Sequence, residues 1–257
     1  MKVIILAAGE GKRLRPYTID NPKCMVKLDG KAIIDRMVAS LIEVGVKTQQ
    51  ITIVTGYKYE KLKYLDINEI HNYSFQSTNM LYSLMCARDV IKSGEDLLVL
   101  YSDIVLSRTN YKILLKRTAG INLLSNRNWE KLWRVRMENP LDDLESFKVS
   151  RSGRLLEIGG KLKSFRELHG QFMGVVKIHG AIATAVLKAY EELKSKSHPN
   201  LYTFNNMYMT DFLQYLINNG FEIDVEQVDG GWLEVDTVND LKTYNDLIKR
   251  GEIEQFL

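Results

Sequence analysis

The chain predicts an α/β fold, Rossmann-like, with a mixed but mainly parallel sheet flanked by helices. Three observations carry that prediction. Through the first half, short continuous apolar runs alternate with longer amphipathic ones, the pattern of parallel strands buried on both faces and joined by crossover helices. Between about 121 and 178 the pattern turns choppy, which suits short antiparallel strands and predicts a small β-rich insertion. Finally, 257 residues, 45% of them hydrophobic, are enough for one large core, and no linker divides 1–257 into two domains.

Taken in order, Val3 to Leu6 is the first strand. Its apolar run is shorter than the core of a signal peptide and enters Gly9-Glu10-Gly11-Lys12-Arg13 directly, so it reads as a strand and not as an export signal. Ile33, Ile34, Met37, Val38, Leu41 and Ile42 then recur at helical spacing before Gly45. Ile51 to Thr55 is the next strand. A helix is predicted from Asn79 to Lys92, with Met80, Leu84, Ala87 and Ile91 on one face, Ser77, Thr78 or Asn79 as its N-cap and Gly94 at its exit. Leu97 to Leu100 is a short strand that delivers Tyr101-Ser102-Asp103 to its carboxyl end, where open α/β sheets bind ligands.

In the choppy middle, Phe147-Lys148-Val149 and Leu155-Leu156-Glu157-Ile158 are separated by Ser152-Gly153, with Gly159-Gly160 following. Helices from about Ile182 to Lys194 and Met207 to Asn218, a strand from Ile223 to Val228 and a helix from Val238 onward complete the chain.

Composition removes several function classes. Lys plus Arg is 35 and Asp plus Glu 32, a net charge of +3 that is too balanced for a protein that coats nucleic acid. Cys24 and Cys86 are the only cysteines, too few for a disulfide scaffold or a Cys-rich zinc site, and they point to a reducing, cytoplasmic compartment. No apolar stretch approaches the ~18 residues of a bilayer span, so no membrane insertion is expected. His71, His169, His179 and His198 lack metal-ligand spacing.

The segment Leu6-Ala7-Ala8-Gly9-Glu10-Gly11-Lys12-Arg13-Leu14-Arg15-Pro16 is the most informative. Small residues and glycines directly after a strand let backbone amides approach a ligand and cradle phosphate oxygens, with Lys12, Arg13 and Arg15 as countercharge. A dinucleotide fingerprint would need a third glycine at Leu14, and a Walker A loop a Ser or Thr at Arg13. The alternative is a plain glycine turn with exposed bases. Pro22-Lys23-Cys24-Met25-Val26-Lys27-Leu28-Asp29-Gly30-Lys31 follows.

Together these segments resemble the signature L-A-A-G-x-G-x-R-L-x-P … P-K-x-x-[LV]-x-[ILV]-x-G-K of the nucleotidyltransferases that couple an NTP to a small phosphorylated metabolite. The resemblance implies that Leu6, Ala7, Ala8, Gly9, Glu10, Gly11 and Lys12 wrap the triphosphate. It makes Arg13 the residue that stabilises charge on the leaving pyrophosphate, and Lys23 a phosphate contact at the reacting centre. Ala32 departs from the proline usual in the sugar-activating members.

Such a reaction needs a divalent metal, Mg2+, held by hard oxygen ligands. Asp103 matches the metal-binding aspartate of the family and Asp236, in Gly231-Trp232-Leu233-Glu234-Val235-Asp236-Thr237, its second metal-side carboxylate, though Asp236 also suits a helix N-cap. The run Gln76 to Leu84 resembles the phosphocholine and phosphonate cytidylyltransferases, as does the ending Glu234 to Asp240. It implies CTP as the nucleotide, with Ser77, Asn79 and Ser83 at the base.

On the acceptor side the family lysine matches Lys161, with Lys148 and Lys163 as rivals. Trp129, Trp133, Arg134, Arg136 and Trp232 are candidate acceptor contacts: an aromatic cage would suit a quaternary ammonium, and arginines a carboxylate or second phosphate. The expected reaction joins CTP to a phosphocholine-, phosphonate- or phospho-amino-acid-like acceptor, giving a CDP-linked product and pyrophosphate, for use in cell-surface glycans or capsule. A sugar-1-phosphate enzyme using UTP or dTTP and an inactive nucleotide-binding regulator are the alternatives, and both monomer and homodimer remain open.

Overall fold

In a computed structural model, which describes residues 1–162, 164–165, 168–197 and 201–257, a seven-stranded sheet carries the molecule. Lys163 and His198 lie outside the described residues. In chain order the strands are β1 (Lys2–Ala7), β2 (Lys27–Leu28), β3 (Lys31–Ala32), β4 (Ile51–Thr55), β5 (Asn68–His71), β6 (Leu97–Tyr101) and β7 (Ile104–Leu106). They continue with β8 (Ile121–Asn126), β9 (Glu145–Val149), β10 (Leu155–Lys161), β11 (Gln171–Ile178), β12 (Ile223–Val228) and β13 (Trp232–Glu234). The main sheet runs β12-β8-β11-β6-β1-β4-β5, and every pairing in it is parallel except the two that β11 makes with β6 and β8.

β1 is central because it can be: Val3, Ile4 and Ile5 are apolar on both faces and wholly buried between β4 and β6. The helices are α1 (Ile33–Glu43), α2 (Met80–Cys86), α3 (Arg88–Ile91), α4 (Arg108–Leu115) and α5 (Trp129–Arg136), then α6 (Gly180–Lys196), α7 (Leu201–Asn205), α8 (Met209–Asn218) and α9 (Val238–Lys249). α1 buries Ile33, Ile34, Met37 and Leu41, the stripe its spacing predicts. Among the described residues no helix is long and apolar enough to cross a membrane.

Three elements differ from the sequence reading. The helix predicted from Asn79 to Lys92 is broken at Ala87 into α2 and α3. The helix expected from Met207 starts at Met209, because Tyr208 stands outside it with its backbone N–H donating to Asp211 Oδ2. Most consequentially, the stretch read as a β-rich insertion gives β8 and β11 to the main sheet, while α5, a 3-10 turn at Pro140–Asp142 and the β9–β10 hairpin stand apart from it. Buried polar residues in β8 (Asn122, Ser125 and Asn126) and a register shift in β11 between Phe172 and Val176 interrupt the apolar runs, which is why two core strands look choppy.

Candidate active site

The glycine loop leaves the carboxyl end of β1 and crosses a 3-10 turn at Lys12–Leu14. Gly11 has φ +63°, and a Cβ there would lie 2.9 Å from Lys23 Cβ, so only glycine lets this loop rest on Lys23. The Thr18 hydroxyl donates to the Gly11 carbonyl at 2.7 Å and fixes the turn. Leu6, Ala8, Gly9, Glu10, Gly11, Lys12 and Arg13 line one side of a cavity of about 340 Å³. Ala7 packs into the core instead, and Lys12 pairs with Glu10 at 2.7 Å.

Opposite the loop, the sheet brings two distant aspartates together. β6 turns at Ser102-Asp103 into β7, and β7 pairs antiparallel with β13 so that Ile104 faces Glu234. One step beyond that ladder the Val235 N–H donates to the Asp103 carbonyl at 2.9 Å, which sets Asp236 beside Asp103. Lys23, on a 3-10 turn after Pro22, reaches both carboxylates: its Nζ lies 2.5 Å from Asp103 Oδ2 and 2.6 Å from Asp236 Oδ1. Arg13 pairs with the other oxygen of Asp236 and approaches Asp143 at 4.0 Å.

Burial opposes the Lys23 charge, but Asp103 and Asp236 outweigh it and raise its pKa above the ordinary lysine range. Burial likewise opposes the Asp236 carboxylate, and Lys23, then Arg13 and Arg136, hold it below the usual range. Thr237, not Asp236, is the N-cap of α9, its hydroxyl accepting from the Asp240 N–H at 3.1 Å.

At the start of α2, Asn79 is the N-cap: Oδ1 accepts from the Met80 N–H at 2.8 Å and Nδ2 donates to the Asn206 carbonyl at 3.2 Å. Asn79 still borders the cavity, as do Phe75, Thr78, Met80 and Ser83. Ser83 is buried and accepts from Asn72 at 3.1 Å. Ser77 is exposed outside the cavity wall, its carbonyl taken by Asn206.

A second cavity, of about 200 Å³, adjoins the first and shares Arg13, Lys23, Met80, Tyr101, Asp103 and Asp236 with it. Its other walls are aromatic and acidic: Trp133, Phe172 and Tyr208 with Asp143, Glu145 and Glu234. Burial pushes the Glu234 carboxyl up to about 7 against the pull of Arg136, and burial also raises that of Glu145, with Asp211 and Asp143 adding to it. Gln171 Oε1, on the same wall, is buried with no hydrogen-bond partner among the described residues.

Among the described residues, Trp133 alone of the acceptor-side candidates reaches this cavity. Trp129 is buried against Phe165 at 5.5 Å between ring centres, and Trp232 is buried in a stack on Trp133 at 5.6 Å. Arg134 faces solvent and pairs with Glu130, while Arg136 is buried on Asp240 and Glu234. Neither Arg134 nor Arg136 lines this cavity, and the walls it does not share with the first are acidic and aromatic. Lys161, opposite Glu145 at the end of β10, is exposed and lines neither cavity; Lys148 pairs with Glu157 at 2.7 Å. Asp143, Glu145, Gln171, Phe172, Tyr208 and Thr210 were not singled out from sequence, because they converge from separate segments with no shared motif.

The site also suits a divalent ion. Asp103 Oδ1 is buried with no hydrogen-bond partner among the described residues, next to a second carboxylate and a cavity lined by a phosphate-type loop. Among the described residues no cluster of three or more His, Cys, Asp or Glu could enclose a metal alone. That is the donor set of an ion held by one or two carboxylates and completed by substrate phosphates and water.

Comparison with known proteins agrees with this geometry. Residues 3–124 match the MobA-like NTP transferase domain. The chain is 35% identical over 251 residues to the CTP:phosphoglutamine cytidylyltransferase of Campylobacter jejuni, covering 94% of this chain and 98% of that protein. The choline-phosphate cytidylyltransferase of Streptococcus pneumoniae is 35% identical over 98 residues, 37% of this chain and 42% of that one. The inositol-1-phosphate CTP transferase of T. maritima shares the fold, with a TM-score of 0.73 at 22% identity over 100% of this chain and 97% of that one. The chain belongs to the small-molecule nucleotidyltransferase family and is an enzyme of that transferase class. Within the family its similarity is to cytidylyltransferases.

Proposed function

We propose that this single-domain protein is a Mg2+-dependent cytidylyltransferase, moving CMP from CTP to a small phosphorylated acceptor that carries a cationic nitrogen. The observation that carries this reading is the junction of two cavities at Arg13, Lys23, Asp103 and Asp236, one cavity walled by the glycine loop and the other by carboxylates and aromatic rings. Support for CTP comes from the cytidylyltransferases it resembles, and phosphoglutamine, choline phosphate and 2-aminoethylphosphonate, named for three of them, all contain nitrogen. An acid-lined, aromatic pocket suits an ammonium group. A phosphoglutamine-like acceptor is the leading candidate, because that relative matches nearly the whole chain.

A phosphate oxygen of the acceptor attacks the α-phosphorus of CTP. One P–O bond forms as the bond from the α-phosphorus to the bridging oxygen breaks, and pyrophosphate leaves with the electron pair. The attacking phosphate is already an anionic nucleophile, so no protein nucleophile or general base is required; positioning and charge neutralisation do the catalysis. Gly9, Gly11 and Lys12 hold the triphosphate and Arg13 meets the charge of the departing pyrophosphate. Lys23, bordering both cavities, contacts the reacting phosphates, including the incoming acceptor phosphate for which Lys161 was the candidate from sequence. Mg2+, held by Asp103 and Asp236, would neutralise the triphosphate and polarise the α-phosphate. The product would serve in the cytoplasm as an activated group for cell-surface glycan or capsule decoration.

A pyrophosphate-release screen tests the reading, pairing the four NTPs with phosphoglutamine, phosphocholine, aminoethylphosphonate and sugar 1-phosphates. Release with CTP and a nitrogen-bearing acceptor is expected. Release only with UTP or dTTP and a sugar 1-phosphate would replace the acceptor assignment, and no release from any pair would favour a nucleotide-binding regulator.

A further inference from the structure

Arg136 lies at the end of α5 and borders neither cavity, yet three elements of the site converge on it. Its guanidinium is 1% exposed and grips Asp240 with two nitrogens, Nε to Oδ1 at 3.0 Å and the second at 3.3 Å to Oδ2. Its third nitrogen donates to Glu234 Oε2 at 3.0 Å. The guanidinium carbon sits 4.5 Å from the ring centre of Trp133, one turn earlier on the same helix. The Arg136 carbonyl accepts from Asn239 Nδ2 at 2.6 Å, so backbone and side chain both hold the first turn of α9.

The far side of Asp240 completes the chain of contacts. Its Oδ2 accepts from the backbone N–H groups of Asp236 at 3.0 Å and Thr237 at 2.9 Å. Arg136 thus orders Glu234 and Trp133, which wall the second cavity, and through Asp240 the main chain of Asp236, which borders both. A planar fork satisfying two carboxylates at once is geometry that a lysine point charge cannot reproduce.

We propose that Arg136 is a positioning residue that couples the acceptor cavity to the Asp103–Asp236 centre, setting acceptor use and turnover while leaving nucleotide capture to the glycine loop. The assignment of the second cavity to the acceptor rests on the cytidylyltransferase reading. The positioning itself rests on the contacts alone.

Two variants test it. Arg136→Lys keeps the charge and loses the fork. Arg136→Met paired with Asp240→Asn removes the arginine together with the Asp240 charge and leaves an oxygen for the Asp236 and Thr237 N–H groups, so it avoids stranding the Asp240 carboxylate while releasing Glu234 from its arginine partner. With thermal unfolding confirming that each is folded, both variants are expected to keep the KM for CTP within about twofold. The acceptor KM is expected to rise tenfold or more and kcat to fall, a split that loss of folded protein does not produce. Wild-type values for acceptor KM and kcat in both folded variants would overturn the proposal.

A crystal structure of the double variant decides the question independently of activity. Displacement of the Glu234 and Asp236 carboxylates by about an ångström or more supports positioning, and unmoved carboxylates overturn it. If the wild-type protein releases no pyrophosphate from any substrate pair, the function reading fails, while the structural comparison still judges Arg136.

Discussion

Lys23 is the residue on which the site turns, since it lies between two carboxylates that would otherwise repel. Lys23→Met leaves Asp103 and Asp236 buried beside each other, and the variant is expected to lose about 3 kcal/mol of stability, the scale of a broken buried pair. Mg2+ or Mn2+ should then raise its melting temperature more than that of the wild type, because the ion can take the place of the lysine charge. Differential scanning fluorimetry with and without metal checks this, and equal metal shifts in both proteins would count against a metal at the two aspartates. Asp103→Ala and Asp236→Ala are expected to fold and to abolish turnover.

Glu234 supplies the pH dependence. Its folded pKa, about 7, lies above the ordinary 4.5, so between those values the folded chain holds a proton that the unfolded chain has released. Its contribution to stability is therefore full below 4.5 and lost as pH rises through about 7. Over the same upper range the carboxyl becomes charged and a cationic acceptor should bind more tightly. Glu234→Gln should flatten both trends, in unfolding and in acceptor KM measured from pH 5.5 to 8. Glu234 stood in a segment whose family resemblance was readable, but its burial against Arg136 was not, because that contact joins α5 to β13 across the fold.

At the scale of elements, the glycine loop was legible because its chemistry is local: small residues, glycines and bases in one run after one strand. Gly11→Ala tests the backbone part. With φ +63° and Lys23 Cβ 2.9 Å from the added methyl, the substitution is expected to cost about 1–2 kcal/mol and to shift Lys23. Activity should fall more than tenfold, read as kcat/KM for CTP beside a urea melt. The start of α9 was legible too, as Thr237 with Asp240 three residues on is a capping pattern, although Asp236 was weighed as the cap. The wall of the second cavity was not legible, because α5, β9, β11, α8 and β13 each contribute only one or a few residues to it.

For the whole molecule, the order of the sheet explains which half could be read. β1, β4 and β6 are apolar and parallel at the centre, and their runs match the predicted strands within a residue or two. β8 and β11 belong to the same sheet, but polar positions and the irregular register near Gly174 hid them. A Cβ at Gly174 would lie 2.9 Å from the ring of Tyr101, a wall of both cavities, so this irregularity makes room at the site.

The near-neutral net charge of +3 likewise conceals a local arrangement, with basic residues gathered on the glycine loop and carboxylates on the wall of the second cavity. Across this junction the acceptor phosphate is proposed to attack the α-phosphorus of CTP. This attack is tested most directly with an acceptor labelled with 18O in its phosphate, incubated with CTP, Mg2+ and the enzyme, and followed by mass spectrometry of both products. The CDP-linked product is expected to retain all the label, including the oxygen bridging the two phosphorus atoms, and pyrophosphate to carry none. Label in pyrophosphate, or CTP cleaved without a CDP-linked product, would contradict it.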